Sequence, residues 1–212
     1  MSRCLPWRAL LAPMALGLAL AGCTGLAPPA VDDTSIYVID AHPAMRTGLA
    51  QSGATLVVSP PRAWPGFETA RMVYVKQPYG LEYFARSRWA DAPARMLAPL
   101  LARALEQSGA FAAVVRNPGA VAGALYLDTE LVRMQQEFDG ERSRVRVTLR
   151  AQLIDTRERR VIGALEFDEV EAAAAGNAYA GVAALNRALE RMLPRLAEFC
   201  AVAAAGRQQQ RQ

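Results

Sequence analysis

Histidine and cysteine are scarce in this chain of 212 residues. His42 is the only histidine and stands beside Pro43 in a polar stretch, which excludes a multi-histidine metal site and argues against a histidine-based catalytic triad. The sequence also has no Gly-rich loop of the kind that binds phosphate groups. These absences predict that the protein is not an enzyme and that it uses neither a metal ion nor a cofactor.

The net charge of the chain is also small. The whole chain has 24 basic and 20 acidic side chains, and without residues 1–22 the excess falls to two positive charges. A nucleic-acid-binding protein needs a concentrated basic patch, so this class of function has no support. Cys200 is the only cysteine beyond residue 23, so the mature chain has no disulfide and folds by burying apolar side chains. With 52% hydrophobic residues, the chain can bury enough apolar surface to form the core of one domain.

The first 23 residues have the pattern of a lipoprotein signal peptide. Arg3 and Arg8 precede an apolar stretch, Ala9–Leu20, that is too short to span a bilayer, since a span takes about 20 apolar residues. The stretch leads directly into a lipobox formed by Leu20, Ala21, Gly22 and Cys23. Small residues let a peptidase accept the extended chain, and the Cys23 thiol can form a thioether with diacylglycerol. We therefore predict a signal peptide at 1–22 and lipidation of Cys23.

Lipidation at Cys23 would hold the protein on a membrane. One acyl chain binds only marginally, whereas a triacylated cysteine with palmitate-type chains gives a stable anchor. Thr24 stands where an Asp would signal retention in the inner membrane, which favours the periplasmic face of the outer membrane. Residues 23–34 are Pro-rich and predicted to form a flexible linker, and residues 201–212 are predicted to be a disordered tail. We expect the folded domain to span 35–200.

Hydrophobic periodicity within 35–200 predicts an α+β fold. Apolar stripes at helical spacing mark one helix that begins near Pro93 and stops at Gly109, and a second over Tyr179–Phe199. Alternating residues mark three long strands, Ala124–Glu137, Ser143–Asp155 and Val161–Glu171. Shorter strands are expected at Ile36–Asp40, Ala54–Ser59, Met72–Lys76, Leu81–Arg86 and Phe111–Val115, with the third and fourth as a hairpin. We expect a single domain in which a mixed or antiparallel sheet carries both amphipathic helices on one face.

Alternation also assigns the two faces of the long strands. One parity is apolar and is expected to be buried; in the third strand it comprises Val161, Leu165 and Phe167. The other parity places a positive strand between two negative ones, with Asp128, Glu130, Arg144, Arg146, Arg150, Glu166 and Asp168 as its charged residues. Cross-strand charge pairs of this kind fix the register of a solvated face. A polar docking surface for another protein is the alternative interpretation.

Turn and packing motifs between Ser59 and Phe111 carry a family resemblance. They comprise Pro65, Gly66, Phe67, Arg71, Met72, Tyr74, Tyr83, Phe84, Arg88, Trp89, Asp91, Pro93, Met96 and 100–111, followed by LDTEL at 127–131, VRVTLRAQLID at 145–155 and Asn186. With these motifs the chain closely resembles the ABC-type transport auxiliary lipoprotein family over nearly all of its mature length. The resemblance implies a periplasmic, usually outer-membrane lipoprotein. It would work with an ABC permease, its ATPase and an MCE-domain protein to move hydrophobic molecules across the envelope.

Aromatic and arginine side chains are concentrated around the Trp64–Phe67 turn and the Tyr79–Trp89 segment. One interpretation is a hairpin that seals the core, with arginine stems lying on aromatic rings. The other is a contact surface for a partner protein, because interfaces favour Tyr, Trp and Arg. The candidate docking residues are Trp64, Phe67, Arg71, Tyr83, Arg88 and Trp89.

Three functions remain open from the sequence. The preferred one is an auxiliary, non-catalytic component of an ABC/MCE lipid transport system that tethers and docks, with a homo-oligomer as an open possibility. The second is an outer-membrane lipoprotein that scaffolds or activates a cell-envelope enzyme, for which the linker is short. The third is a periplasmic lipid carrier, which requires an apolar cavity.

Overall fold

The computed structural model describes residues 33–46, 48–116 and 124–209. The signal peptide at 1–22, the lipobox with Cys23 and nearly all of the linker lie outside the described residues, so these assignments stay predictions. The described chain forms nine strands and two helices: β1 (Ser35–Tyr37), β2 (Thr55–Val58), β3 (Arg62–Ala63), β4 (Arg71–Val75), β5 (Glu82–Trp89), α1 (Pro93–Gln107), β6 (Ala113–Val115), β7 (Leu125–Asp139), β8 (Arg142–Asp155), β9 (Arg160–Ala173) and α2 (Ala178–Gln209).

Strand β7 is the centre of one mixed sheet. β8 pairs antiparallel with it along its whole length, and β9 pairs antiparallel with β8. The other edge of β7 is divided among β2, β3 and β4, which all run parallel to it. β6 extends the sheet beyond β2, and β5 and β1 extend it beyond β4. The expected hairpin is confirmed, because β4 and β5 pair antiparallel.

Both helices bury their apolar stripes against one another and the sheet, in a single core. Its fully buried leucines come from β7 and β8, from α1 and from α2, and include Leu125, Leu127, Leu149, Leu153, Leu97, Leu101, Leu105, Leu185 and Leu189. Burial of a leucine side chain contributes about 1.5–3 kcal/mol. The predicted α+β architecture is therefore confirmed, and the alternation correctly identifies the buried face of β7 and β8.

Two apolar residues of β9 lie outside the core, contrary to the sequence pattern. Val161 is 50% exposed and Leu165 is 43% exposed, whereas Phe167 is fully buried as expected. The pairing of β8 with β9 shifts between Leu153 and Ile154, so Val161 lies beside Ile154 and faces away from Phe167. Leu165 has the parity of Phe167, but β9 pairs with β8 alone, and the side chain stays half open at this edge.

Helix α2 is longer than the sequence predicts. It continues past Phe199 to Gln209, and Ala201, Ala204 and Arg207 are buried. Arg207 forms an ion pair with Asp155 at the end of β8, where the carboxylate is completely buried. The prediction of a disordered tail is therefore wrong for residues 201–209, because the tail's arginine has a distant partner that the local sequence does not reveal. Residues 210–212 lie outside the described chain.

Candidate docking surface

His42 lies on the surface of the domain, and Cys200 packs in its core. The Nε2 atom of His42 lies 3.2 Å from the carboxylate of Asp40, and both side chains are exposed. Cys200 is buried, and burial raises the pKa of its thiol to about 12, so the reactive thiolate does not form near neutral pH. Within the described ranges, no three His, Cys, Asp or Glu side chains cluster as a metal site. In the same part of the chain, no helix is long and apolar enough to cross a membrane.

A tight turn at Pro65 and Gly66 separates two of the predicted docking residues. The Phe67 N–H donates to the Trp64 carbonyl oxygen over 3.0 Å, and Gly66 has a φ of +95°, as the third residue of a type II turn requires. A Cβ atom at Gly66 would lie 2.8 Å from Cδ1 of Leu81, so both the backbone conformation and the space available favour glycine at this position. The turn leaves 43% of Trp64 exposed but only 6% of Phe67. Phe67 therefore packs in the core, and its predicted place on a docking surface is corrected.

Trp89 is also a core residue. It ends β5 with 5% of its surface exposed, and its N–H donates to the Ala70 carbonyl oxygen over 2.8 Å. Tyr37 of β1 is its register partner, and both residues pack into the hydrophobic core. Strand alternation points Trp89 inward and its neighbour Arg88 outward. Its predicted docking role is therefore corrected to packing.

Three of the predicted residues do come together, on the outer face of β4 and β5. Arg71 and Arg88 are direct neighbours across the two strands, and both are exposed. The guanidinium carbon of Arg71 lies 3.4 Å from the centre of the half-buried Tyr83 ring, a cation–π contact. In the part of the chain that the structure describes, no carboxylate forms an ion pair with either arginine. The structure thus retains Arg71 and Arg88 as an exposed pair, with the half-buried Tyr83 ring against Arg71.

The turn between β4 and β5 carries two more exposed side chains. Tyr79 is fully exposed with a φ of 68°, a conformation that few residues other than glycine adopt. Leu81 is 44% exposed and reaches the Pro65–Gly66 turn through its contact with Gly66. Trp64, Tyr79 and Leu81 are named here the apolar tip. Leu81 is the member that sequence patterns miss, because a single leucine next to a turn gives no signal of its exposure.

The inner side of the same hairpin is packed. The Tyr74 ring lies 4.8 Å from the Phe84 ring and 5.7 Å from the Phe138 ring. The Tyr74 hydroxyl donates to the Glu82 carboxylate over 2.6 Å, and this hydrogen bond raises the pKa of Tyr74 and lowers the pKa of Glu82. Lys76 lies 3.4 Å from the same carboxylate. The packing interpretation is therefore confirmed for Tyr74 and Phe84.

Three arginines of β8, on the outer face of the long strands, have carboxylate partners within the sheet. Arg150 of β8 lies 3.2 Å from Glu130 of β7 and 3.0 Å from Glu166 of β9. Further ion pairs join the three strands through Arg144, Arg146, Glu137 and Asp168. The predicted positive strand between two negative ones is confirmed. Pairs this exposed contribute roughly 0–1 kcal/mol each and chiefly set the strand register.

Two spaces of different size lie between the sheet and α2. An open groove of about 520 Å³ runs along β9, lined by residues that include Leu165, Phe167 and Phe199. A second cavity lies deeper, beside β7. The cavity there has a volume of about 20 Å³ and is lined by residues that include Trp89, Met134, Gln136 and Leu185. Such a volume suits one water molecule. An acyl chain does not fit into it.

Comparison with known proteins identifies the family. The sequence model of the ABC-type transport auxiliary lipoprotein component matches residues 37–197. A search of curated proteins finds no match. Protein XCC0632 from Xanthomonas campestris has a similar structure, with a TM-score of 0.76 at 22% identity over 84% of this chain and 100% of that one. The hypothetical protein CT253 from Chlamydia trachomatis has a TM-score of 0.53 at 9% identity over 72% and 98%.

These structural similarities, at low identity, concern the fold. The family match is different in kind, because it runs from the last residue of β1 to residue 197 of α2 and includes β2 to β9, the whole of α1 and more than half of α2. It also agrees with the lipobox that precedes the domain in the sequence. This chain therefore belongs to the ABC-type transport auxiliary lipoprotein family.

Proposed function

We propose that this protein is a non-catalytic auxiliary component of an ABC transport system that moves lipids or other hydrophobic molecules between the two membranes of the envelope. The match to the auxiliary lipoprotein component over residues 37–197 is the observation that carries this proposal. The partners are an MCE-domain protein and the ABC permease with its ATPase. The domain's task is to hold and join these components. The cavity beside β7 is too small for an acyl chain, and the larger groove between β9 and α2 is open to water, which favours this task over that of a carrier that encloses its lipid.

The partners are testable by isolating the lipidated protein from membranes and identifying the proteins that accompany it. Recovery of the MCE-domain protein, the permease or the ATPase is the expected result. Recovery of peptidoglycan enzymes alone would overturn the proposal in favour of an activator of a cell-envelope enzyme.

The anchor of this component is Cys23, on the periplasmic face of the outer membrane. Cys23→Ser removes the thiol that accepts diacylglycerol, so the precursor is expected to remain uncleaved and to lack acyl chains. Mass spectrometry of the purified chain and flotation of outer and inner membranes measure both effects. Cys4→Ser, in the same precursor segment, is the matched control and should be processed normally. Normal processing of the Cys23→Ser chain would contradict the anchor.

The apolar tip is the surface that we propose for the protein partner. Trp64, Tyr79 and Leu81 are exposed at two turns that approach each other at Gly66 and Leu81, and large aromatic side chains are the usual anchors of protein interfaces. The outer face of the long strands is less suited to this role, because Arg144, Arg146 and Arg150 at its centre already have carboxylate partners.

Substitution of Trp64 tests the apolar tip. If Trp64 is an interface anchor, Trp64→Ala is expected to weaken binding to the MCE partner about 30-fold, which corresponds to a typical hot-spot loss of about 2 kcal/mol. Tyr179→Ala is the matched control, because Tyr179 is 70% exposed at the start of α2 and far from the tip in sequence. Equal affinity of the Trp64→Ala chain and the unchanged protein, measured by calorimetry on folded samples, would remove the tip from the interface.

A further inference from the structure

Arg71 and Arg88 differ in ion pairing from the arginines at the centre of β8. In β8, Arg144, Arg146 and Arg150 all pair with carboxylates of β7 or β9. In β4 and β5, Arg71 and Arg88 lie directly opposite each other, and no ion pair involves either of them within the described ranges. Two like charges placed opposite each other destabilise a strand pair. The Tyr83 ring stabilises Arg71, but no carboxylate in the described chain pairs with Arg88, and an external anion would relieve the repulsion between the two arginines.

Exposed aliphatic side chains border this arginine pair. Ile36 of β1 is the register partner of Arg88 and so faces the same side of the sheet. It is 63% exposed, and Val38, two residues later, is 57% exposed. Tyr37 and Trp89 point to the opposite side, into the core. Ile36, Val38, Arg71 and Arg88 are named here the basic edge, a surface that combines positive charge with exposed aliphatic groups.

The basic edge includes β1, the first strand of the folded domain after the anchor at Cys23. β1 begins at Ser35, only twelve residues after Cys23. A chain of that length spans at most about 40 Å even when fully extended. β1 pairs with β5, which carries Arg88. A lipid-anchored Cys23 therefore confines β1 and its neighbours to the vicinity of the membrane surface.

We propose that the basic edge docks on the anionic phospholipid headgroups of the leaflet that holds Cys23; this inference rests on the proposed anchor. Arg71 and Arg88 would bind phosphate oxygens, for which a guanidinium is well shaped. Ile36 and Val38 would lie at the boundary between headgroups and acyl chains. The single tether restricts distance but not orientation, and docking of this edge gives the domain one orientation on the membrane. The apolar tip is then presented to the partner in a defined direction.

Vesicle binding of the unlipidated full mature chain, made with Cys23→Ser, tests the basic edge without the anchor. Phosphatidylcholine vesicles that contain phosphatidylglycerol should sediment more of the chain than pure phosphatidylcholine vesicles, and added salt should reduce the difference. Arg88→Ala is expected to weaken binding about fivefold, as an arginine near an anionic surface contributes roughly 1 kcal/mol. Arg88→Glu is expected to weaken it further. Arg103→Ala, an exposed arginine of α1, is the matched control and should bind as the parent does.

Several outcomes would overturn the inference. Equal binding to the two kinds of vesicle would do so, as would an equal loss for Arg88→Ala and Arg103→Ala. A loss of binding to the MCE partner by Arg88→Ala, with vesicle binding unchanged, would reassign the edge to a protein interface. Thermal unfolding of each variant verifies that it is folded, and Arg71 is left in place because its contact with Tyr83 supports the hairpin. The processing assay on Cys23 fails or succeeds independently, so the anchor and the edge are tested separately.

Discussion

Gly181 and Gly206 lie in the same helix, α2, but in different surroundings. A Cβ atom at Gly181 would lie 2.3 Å from Oε1 of Gln136, which is buried with its Nε2 donating to the Ser143 hydroxyl over 2.9 Å. A Cβ atom at Gly206 would meet nothing within 4 Å. The first glycine is thus required by a close approach of the helix to β7. The second is a helix-interior glycine without such a contact.

We expect opposite effects of alanine at the two positions. Gly206→Ala should raise the free energy of unfolding by about 0.5–1 kcal/mol, because alanine has the higher helix propensity. Gly181→Ala gains the same propensity but forces Gln136 out of its hydrogen bond, and overpacking of a core costs about 1–3 kcal/mol. A net loss of about 1 kcal/mol is therefore expected in urea unfolding. Stabilisation by Gly181→Ala would show that Gln136 rearranges freely.

Asp155 is the buried acidic residue with the most distant partner in sequence. Burial by itself would raise the pKa of its carboxyl, but hydrogen bonds from the backbone N–H groups of Glu158 and Arg157, together with the Arg207 guanidinium, lower it overall. The ionised form is therefore favoured by folding. Its contribution to stability is fully present above the pKa of an unfolded aspartate, about 3.9, and is lost as the pH falls through the lower folded value.

Asp155→Asn is expected to destabilise the protein most at neutral pH. The change leaves Arg207 buried without its carboxylate, which costs about 3 kcal/mol, the lower end for breaking a buried ion pair, since the end of a helix can relax. The difference from the parent should narrow as the pH is lowered, because protonation removes the same charge there. Urea unfolding across an acidic pH series measures this, with Asp139→Asn at the exposed β7–β8 turn as control. A difference that does not vary with pH would contradict the assigned role of the Asp155 charge.

At the scale of elements, the last turns of α2 belong to the folded domain. Truncation after Phe199 removes the buried side chains of Cys200, Ala201, Ala204 and Arg207. We expect a loss of at least about 3 kcal/mol, since the Asp155 pair disappears as well. Removal of 210–212 alone keeps every described contact and should change the free energy of unfolding by less than about 0.5 kcal/mol. Equal melting temperatures for the parent and the longer truncation would show that the tail is dispensable.

Strand β9 shows where sequence patterns reach their limit. Its alternation correctly marks Phe167, but two acidic residues of the same parity, Glu169 and Glu171, also face α2. They form ion pairs with Arg187, Arg191 and Arg195 of that helix. Glu169 is only 8% exposed. A local pattern assigns acidic residues to solvent, and only the packing of α2 across β9 supplies the arginines that allow this burial.

At the scale of the whole molecule, the core is filled by its own side chains. The cavity of about 20 Å³ beside β7 is too small for an acyl chain, and the groove of about 520 Å³ between β9 and α2 is open to water. We therefore expect solvent extracts of the unlipidated chain, purified without detergent, to contain no stoichiometric lipid by mass spectrometry. One lipid per chain in these extracts would contradict the docking role and support a carrier that opens to admit its cargo.

Residues that are close together in the sequence differ in burial, and therefore in role, in the folded molecule. Trp64 and Phe67 fall on opposite sides of one turn, and Arg88 and Trp89 on opposite faces of one strand. The six predicted docking residues therefore divide into a buried pair, one member of the apolar tip and an exposed arginine pair with Tyr83 on β4 and β5. Composition alone favours interface and core equally for such residues, because Trp, Phe and Tyr serve both.

Short-range patterns were sufficient to locate both helices, the three long strands and the charge order of their solvated face, and they also predict the lipobox. These features depend on residues that are close together in the chain, where spacing decides which side chains share a face. Tertiary structure alone decided that Phe67 and Trp89 are buried, that Val161 turns outward and that the last turns of α2 are ordered. Burial depends on distant partners, as for Arg207 and Asp155, which are 52 residues apart, or on another strand's register, and no local pattern contains that information.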